Sequence, residues 1–440
     1  MTGAGARGRT VVVVGGGLSG LASAHRLAEA GYEVVVLERA GGVGGLARTE
    51  QKGHYLVDIG ADLINGSFTH YLGLAREVGL EECIVSASPA ADILRGGRAI
   101  TVDRTRPLSL ARSPILSARG KASAAAGLAR LYPTMRKIDP YALTGTADDY
   151  GTAREFCDRY FDDEVTEWVI DPIVRAFAGT GIDGTSGLLV LSALAVGTKP
   201  AFGITGGMSA LPNALARTVD VRCGIEVTSI DDTDEGVHVT YRGPSGPGEI
   251  DADLCVLAVS YHDARSMWPV LEDTAGEFGR KLRDVPLMSI SLGYDVPSPT
   301  RSYAVLVPTR ESSDALLVMM QQNKAPDRAP AGHTLVSLFT EARATTRLMN
   351  RSDDELMDWA AEFVESYYPG LRGRRDMSSV HRWPRTGYLP FPGYWQGIKE
   401  VRAGLPAGHV HTTSALFGSG GVERAVLGGE RTARRIAKAA

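Results

Sequence analysis

The stretch TVVVVGGGLSG, residues 10–20, combines a valine run with a glycine-rich turn close to the start of the chain. Four consecutive β-branched residues predict a strand that is buried on both faces, as in a parallel sheet. Gly15 permits a tight turn, Gly17 lets a pyrophosphate approach the backbone, and Gly20 lets the next helix pack closely on the strand. The stretch therefore predicts the phosphate turn of a dinucleotide-binding βαβ unit.

The residues that follow complete this unit. Leu21 to Ala30 is a helix-forming run, and the turn before it, with Leu18 and Ser19, offers unpaired N–H groups to phosphates. A second apolar run, Val34 to Leu37, ends at Glu38, which lies 18 residues after the last glycine of the turn. A carboxylate at this place accepts hydrogen bonds from a ribose and disfavours a 2′-phosphate, so NADP is not expected here.

A second glycine-rich segment follows, and here the chain resembles a known family. Arg39 precedes the run Gly44-Gly45-Leu46-Ala47-Arg48-Thr49, and Asp58-Ile59-Gly60-Ala61-Asp62 comes soon after it. A glycine pair followed by Arg and Ser or Thr, and then an acid-x-Gly turn, resembles the flavin amine oxidase and protoporphyrinogen oxidase superfamily. The resemblance implies that both segments bind FAD and that the second turn runs beneath the flavin.

Two distant segments extend the resemblance. In the family, a valine at the place of Val227 presents its backbone to the adenine. Near the C-terminus, a strand ending at Ser414, a glycine turn and a final helix containing Gly421 and Val422 imply a helix N-terminus beside the flavin pyrimidine. Amine oxidases carry Gly-Asp or Gly-Glu at the end of that strand. Because this chain has Ser414-Ala415, the resemblance is closer to the protoporphyrinogen oxidase branch.

The resemblance covers nearly the whole chain and implies an α/β fold. We expect a Rossmann-type FAD-binding domain of the GR2-like flavoprotein type, made of residues 1–75, 196–275 and 385–440. A discontinuous α+β substrate domain takes residues 76–195 and 276–384. Its residues 119–195 predict a helical insert, and apolar–polar alternation in 286–340 predicts an antiparallel sheet with one solvated or pocket-facing side. Asp353 to Tyr368 predicts a further helix.

The substrate side is marked by aromatic residues that precede the C-terminal turn: Trp383, Tyr388, Phe391, Tyr394 and Trp395. They form either an aromatic wall facing the flavin or the packing between the domains, and Tyr388 and Trp395 are the candidate pocket residues. Met319-Met320-Gln321-Gln322 is open to the same two interpretations.

No catalytic residue is predicted. Amine oxidases often have a lysine that holds a water near the flavin, and the sequence shows no clear counterpart. His381 and His411 flank the last flavin segment and are interpreted as structural. Flavin chemistry accounts for this pattern, because the cofactor accepts the hydride and the protein supplies position and desolvation. We expect non-covalent FAD, since no cysteine or histidine lies where the family places its covalent link.

Composition excludes several classes of protein. Lys and Arg number 47 against 51 Asp and Glu, a net charge of −4, which argues against nucleic-acid binding. No apolar run has the length of a membrane span, and the N-terminus does not resemble a signal peptide, so a cytoplasmic protein is expected. The scattered cysteines Cys83, Cys157, Cys223 and Cys255 predict reduced thiols, and no metal site is predicted.

These features predict an FAD-dependent oxidase or desaturase of specialised metabolism. It would take a hydride from a C–N or C–C unit of a small-molecule metabolite and pass the electrons to oxygen or another acceptor. Porphyrinogen-like, polycyclic and amine-bearing substrates are all candidates, and a protoporphyrinogen or coproporphyrinogen oxidase is one alternative. A redox-neutral isomerase or cyclase and a dinucleotide-binding interaction protein are the others, because one flavin scaffold hosts many reactions. No oligomeric state is predicted.

Overall fold

The computed structural model describes residues 8–146, 150–418 and 421–439. Its strands are β1 Thr10–Val14, β2 Glu33–Glu38, β3 Thr49–Lys52, β4 Tyr55–Asp58, β5 Ile64–Asn65, β6 Ile84–Ser86, β7 Ala90–Arg95, β8 Arg98–Asp103, β9 Ala201–Ile204, β10 Asp220–Cys223, β11 Glu226–Asp232, β12 Val237–Gly243, β13 Gly246–Ala252, β14 Leu254–Leu257, β15 Leu287–Tyr294, β16 Ala304–Leu306, β17 Ala315–Met320, β18 Thr334–Thr340, β19 Arg375–Trp383 and β20 Val410–Thr412.

Its helices are α1 Leu18–Glu29, α2 Thr69–Glu77, α3 Pro107–Arg112, α4 Ala118–Met135, α5 Ala153–Tyr160, α6 Asp163–Val165, α7 Asp171–Ala178, α8 Gly187–Val196, α9 Ala210–Ala216, α10 Tyr261–Met267, α11 Val270–Lys281, α12 Ala342–Leu348, α13 Asp353–Tyr367, α14 Tyr394–Gly404 and α15 Gly421–Ala439. Two short 3₁₀ turns, Gln321–Asn323 and Pro326–Arg328, follow β17 and are discussed with the candidate site.

A parallel five-stranded sheet forms the half of the fold that contains β1, in the order β10-β2-β1-β14-β20. The valines of β1 are all buried, because Val11 and Val13 pack towards α1 and α15 whereas Val12 and Val14 pack towards the three-stranded sheet β11-β12-β13. The predicted Rossmann-type core is thereby confirmed. Helix α1 begins at Leu18, three residues earlier than the predicted run, since the turn leads straight into it.

A seven-stranded sheet in the order β19-β15-β18-β17-β16-β7-β8 forms the second half. The sheet is mixed, because β16 and β7 pair in parallel whereas all its other neighbouring strands pair in an antiparallel arrangement. Of the two environments expected for the polar side of this sheet, solvent is wrong for β15 and β18, because both strands are buried along nearly their whole length. Apolar side chains of one face pack on α12 and α13, and Ser289, Ser291 and Ser337 of the other face are buried as well.

The predicted helical insert is present as α4 to α8, joined by one π-helical turn, Thr166–Ile170. Helix α5 begins with a capping box in which Thr152 and Glu155 each satisfy the other's backbone N–H, and Ser352 and Glu355 do the same for α13. These caps explain why both helices begin where they do.

The predicted domain boundaries are not all at loops, because Arg76 lies inside α2 and Gly276 lies inside α11. Gly276 has a φ of +47° and interrupts the helical conformation there. Among the helices of residues 8–146, 150–418 and 421–439, none combines the length and the apolar character needed to cross a bilayer.

Candidate functional site

The turn between β1 and α1 has the geometry of a phosphate-binding loop. Gly15 has a φ of +106°, and a Cβ there would lie 2.8 Å from the carbonyl oxygen of Ala258. A Cβ on Gly20 would lie 2.0 Å from the carbonyl oxygen of Gly15, so α1 can approach the turn only with glycine at this position. A Cβ on Gly17 would meet no atom closer than 4.0 Å, because Gly17 borders a cavity.

The N-terminus of α1 points unpaired donors at this cavity. Gly17 is the N-cap and supplies no side-chain cap, and Leu18 and Ser19 line the cavity beside it. The buried hydroxyl of Ser19 has no hydrogen-bond partner among the described residues. Free N–H groups, an unpaired hydroxyl and the positive end of a helix dipole fit the phosphates of a dinucleotide.

Glu38 lies at the end of β2, on the cavity wall next to this turn. Its two carboxylate oxygens accept hydrogen bonds from the backbone N–H groups of Gly16, at 2.6 Å, and Ala40, at 2.7 Å. The carboxylate is thus held in place and keeps further lone pairs for a ribose. Arg39 also lines the cavity, and its guanidinium lies 3.6 Å from Asp263.

The second glycine segment meets the first across the cavity. The N–H of Gly44 donates to the carbonyl oxygen of Gly16 at 2.8 Å, and both Gly44 and Gly45 have positive φ. Leu46 and Ala47 continue along the cavity wall. Arg48, a predicted cofactor ligand, does not line the cavity, since its guanidinium turns to Glu50, 3.8 Å away.

One residue of the turn from Asp58 to Asp62 lines the cavity, and others point into the protein interior. Ala61 lines the cavity, whereas Gly60 is packed so that a Cβ would lie 2.4 Å from the carbonyl oxygen of Leu46. Asp58 and Asp62 point into the protein and are 0% and 8% exposed. Of the predicted residues of this turn, only Ala61 lines the cavity, and the assignment of Gly60 and Asp62 stays a prediction.

A buried ion cluster supports this turn from the seven-stranded half. Lys324, 2% exposed, places its Nζ 2.9 Å from Asp58 and in contact with the carboxylate of Asp62. Arg328 lies 3.2 Å from Asp58. Burial opposes ionisation of Asp58, but the charges of Lys324 and Arg328 hold its pKa below its ordinary value. Burial lowers the pKa of Lys324 to about 8.

Sequence reasoning missed this cluster. Lys324 follows the 3₁₀ turn Gln321–Asn323 and Arg328 ends the turn Pro326–Arg328, and neither turn carries a motif. Gln321, left open as a pocket residue, donates to Asp62 and to Ser337 within the same cluster. Met319 and Met320 are buried in apolar clusters and do not line the cavity.

The far ends of the cavity are formed by the two distant segments. Val227 is buried and lines the cavity beside Ile225 and Glu226. At the other end lie Ser414, Gly421 and Val422. The hydroxyl of Ser414 donates to the carbonyl oxygen of Arg424 at 2.7 Å and so joins the end of β20 to α15. Residues Ser419 and Gly420 of the glycine turn lie outside the described residues.

The aromatic run divides between the cavity and the core. Trp383, Tyr388 and Trp395 line the cavity, and the indole N–H of Trp383 donates to the carbonyl oxygen of Ile59 at 2.6 Å. The hydroxyl of Tyr388 accepts from the N–H of His262 at 3.3 Å. Phe391 and Tyr394 instead pack against Phe278, away from the cavity.

Neither flanking histidine lies on the cavity wall. Burial lowers the pKa of His381, which contacts the ring of Trp383. Burial and the neighbouring charge of Arg435 lower the pKa of His411 to about 4. Both are placed as structural residues. Among the described residues, His25, Glu29 and Glu77 form a possible metal-ligand group, but the guanidinium of Arg26 already pairs with both carboxylates.

The cavity has a volume of about 660 Å³, within the range of small-molecule sites. It brings together most of the predicted cofactor residues, namely Gly15, Gly17, Leu18, Ser19, Glu38, Arg39, Gly44, Gly45, Leu46, Ala47, Ala61, Val227, Ser414, Gly421 and Val422. Their assignment as FAD ligands stays a prediction, which their convergence on one elongated cavity supports.

Comparison with known proteins gives a consistent result. The model of the family described as flavin containing amine oxidoreductase matches residues 18–437. Coproporphyrinogen III oxidase of Bacillus subtilis is 22% identical, with 94% of each chain covered. Coproporphyrinogen III oxidase of Mycobacterium tuberculosis is 27% identical, again with 94% of each chain covered. The crystal structure of cyclohexylamine oxidase from Brevibacterium oxydans superposes with a TM-score of 0.74 at 19% identity, covering 98% of this chain and 99% of that one, and shows the shared fold.

Proposed function

The chain belongs to the family of flavin-containing amine oxidoreductases and is an FAD-dependent oxidoreductase, and on that premise we propose that it takes a hydride from a C–N or C–C unit of a small-molecule metabolite, as an oxidase or a desaturase. The observation that carries the proposal is the continuity of the cavity. It is lined both by the nucleotide residues Glu38 and Val227 and by the aromatic residues Trp383 and Tyr388.

The residues of the cavity fit FAD. The α1 N-terminus, with Gly17 and Ser19, would hold the pyrophosphate, and Glu38 would hold the adenosine ribose. The N-terminus of α15 at Gly421 and Val422 would lie beside the flavin pyrimidine, where a helix dipole stabilises negative charge. Bound FAD supplies the hydride acceptor.

The protein's own part in the reaction is to position the reactants and to exclude water. The indole of Trp383 is fixed by its hydrogen bond to Ile59 and the phenol of Tyr388 by its bond to His262, so both rings have defined planes. Fixed aromatic rings orient a flat or apolar substrate unit at a flavin. No lysine, histidine or carboxylate is assigned the role of a base.

Two substrate classes follow from the relatives. Coproporphyrinogen III oxidases cover nearly the whole chain at 22% and 27% identity and favour a porphyrinogen-like substrate. The fold shared with cyclohexylamine oxidase allows an amine. We propose a specialised oxidase or desaturase as the first candidate and a coproporphyrinogen oxidase as the second.

The test is anaerobic bleaching of the bound flavin. Purified protein should be yellow, release FAD on denaturation, and lose its visible flavin absorbance on addition of an active substrate. Coproporphyrinogen III, cyclohexylamine and putrescine are the first compounds to try. Conversion of a compound to product without any bleaching, in the complete absence of oxygen, would overturn the redox proposal in favour of an isomerase or a cyclase.

The role of the aromatic wall has its own matched pair of variants. Tyr388→Phe keeps the ring and should bleach at nearly the wild-type rate, whereas Tyr388→Leu removes the ring and should bleach more slowly with FAD still bound. Equal rates for the two variants and the wild type would place Tyr388 outside the substrate pocket.

A further inference from the structure

The cavity extends beyond the cofactor residues as a groove between α14 and α15, along the edge strand β20. Helix α14 lines it with Trp395, Ile398 and Arg402, whose spacing of three and four residues places them on one helical face. Thr412 of β20 lies at its floor. This face of α14 therefore presents an apolar stripe that ends in a cation.

Helix α15 lines the other side of the groove with three more arginines. Arg424, Arg431 and Arg435 are separated by seven and four residues and so share one face of the helix. The guanidinium of Arg424 lies 4.9 Å from the centre of the Trp395 ring and donates to the carbonyl oxygen of Pro140. The outer part of the groove, lined by Arg402, Arg431 and Arg435, is named the arginine groove.

The positive charge of the arginine groove is poorly compensated. Among the described residues, the only carboxylate within 4 Å of its guanidinium groups is that of Asp139, 3.8 Å from Arg431. Arg435 has a weak hydrogen bond of 3.4 Å to the carbonyl oxygen of Thr412. Burial, together with the charges of Arg435 and Arg431, lowers the pKa of Arg402. The Arg402 side chain keeps access to solvent through the open groove.

We infer that the arginine groove is a second binding site, for a small molecule that carries two or more carboxylate or phosphate groups. Guanidinium groups bind both kinds of oxyanion through paired N–H donors. Three cations held close together repel one another, and an anion between them removes that repulsion. The floor offers the hydroxyl of Thr412 and the wall offers Ile398 for the uncharged part of such a molecule.

This site is separate from the one expected for the flavin pyrimidine, at the N-terminus of α15. Helix α15 begins at Gly421, and Arg431 and Arg435 follow it by ten and fourteen residues. At 1.5 Å per residue these positions lie about 15 Å and about 21 Å along the helix from its N-terminus. The inference thus goes beyond the proposed oxidoreductase function and does not rest on it.

Calorimetric titration of the FAD-loaded protein with citrate and, separately, with inorganic pyrophosphate tests the inference. We expect saturable binding of at least one of them, weakened when KCl is raised from about 0.02 M to about 0.3 M, because salt screens the charges. Tighter binding of citrate assigns the site to carboxylates, and tighter binding of pyrophosphate assigns it to phosphates. Failure of both anions to bind would overturn the inference.

Charge-matched variants make the test specific. Arg402→Gln and Arg431→Gln should each weaken binding about tenfold or more, since each removes a charge-assisted hydrogen bond. Arg434→Gln is the control, because Arg434 lies on the same helix, changes the net charge equally and does not line the groove. Equal weakening by all three variants would mean attraction by net charge and would overturn the inference.

Further readouts separate this site from the cofactor site and from misfolding. The FAD content and thermal melting of each variant should match the wild type, and Arg402→Lys, which keeps the charge but loses the planar donor pair, should bind with intermediate affinity. Release of FAD by the anion would show that it occupies the cofactor site and would overturn the inference. If an anion binds but no substrate bleaches the flavin, the result would support the inferred binding site and contradict the proposed oxidase function.

Discussion

The ammonium group of Lys324 lies 2.9 Å from a carboxylate oxygen of Asp58, although 266 residues separate the two in the chain. Asp58 ends β4, just before the turn that reaches the cavity at Ala61, and Lys324 follows β17 of the seven-stranded sheet. The same Asp58 accepts hydrogen bonds from the Thr49 hydroxyl, at 2.6 Å, and from the Met208 N–H, at 2.9 Å. The contact therefore joins the sheet to the cavity wall.

The first prediction concerns this buried pair. Lys324→Met leaves Asp58 and Asp62 without their shared cation and should lower the free energy of unfolding by about 3–5 kcal/mol. Lys281→Met is the matched control, because Lys281 pairs with Glu277 at 2.7 Å but on the exposed surface, and it should cost less than about 1 kcal/mol. Denaturant unfolding of the FAD-saturated proteins measures both values. Equal effects would contradict the structural role of Lys324.

The second prediction concerns Gly17. A Cβ there lies 4.0 Å from the nearest protein atom, the Cα of Gly45, and borders the cavity, so Gly17→Val should fold and lose FAD. Gly41→Val is the control, since a Cβ at Gly41 also meets open space and Gly41 does not line the cavity. Flavin absorbance per mole of protein, with circular dichroism as the check of folding, distinguishes them. Stoichiometric FAD in Gly17→Val would show that the turn does not bind the pyrophosphate.

The third prediction concerns Glu38. Glu38→Ala removes an expected charge-assisted bond to the ribose, worth about 1.5–3 kcal/mol, and should weaken FAD binding by about one to two decades. Substrate-dependent bleaching at saturating FAD should change little, because the ribose is remote from the reactive ring. Glu33→Ala, at the exposed start of the same strand, is the control. FAD titration of the apo-proteins measures the affinity. An affinity of Glu38→Ala equal to that of the wild type would show that Glu38 does not bind the cofactor.

The fourth prediction concerns pH. His411 has an ordinary pKa of 6.5 and a folded-state pKa of about 4. Between these values the unfolded chain binds a proton that the folded chain does not, so stability falls as the pH is lowered from 6.5 towards 4. Down to about pH 5, His411→Gln should reduce this loss by about 2 kcal/mol, because about 1.5 pH units at about 1.36 kcal/mol each separate that pH from the ordinary pKa. Urea unfolding at about pH 7.5 and about pH 5 measures it.

The control for this pH dependence is His238. Its hydrogen bond to Asp251 raises its pKa, so its contribution to stability changes with pH in the opposite direction. His238→Gln should therefore not reduce the acid sensitivity. If His411→Gln is as sensitive to acid as the wild type, then the depressed pKa of His411 does not contribute to stability.

Several features of the protein follow from the sequence because neighbouring residues determine them. The valine run of β1, the glycines at 15, 17 and 20 and the acid at Glu38 form one continuous unit, and the structure contains that unit as predicted. The helical insert and α13 follow likewise from composition and from local caps.

Other features depend on residues that are distant in the sequence and that only the tertiary structure brings together. The alternation in β15 correctly indicated a strand, but not that its serine face would be covered, because burial depends on what packs against the sheet. The segment after β17 that contains Lys324 and Arg328 has no local sequence signal of its own. The same is true of Arg402, which lines one groove with Arg431 and Arg435 only because the fold places α14 and α15 on the two sides of that groove.

The sequence by itself thus determined the nucleotide-binding unit, the family resemblance and the type of most elements. Only the tertiary structure decided which ionisable groups share a buried site or a groove. The physical reason is that backbone conformation responds to a few adjacent side chains. The energy of a charge–charge contact depends instead on the distance between the two groups in space, and their separation along the sequence does not determine that distance.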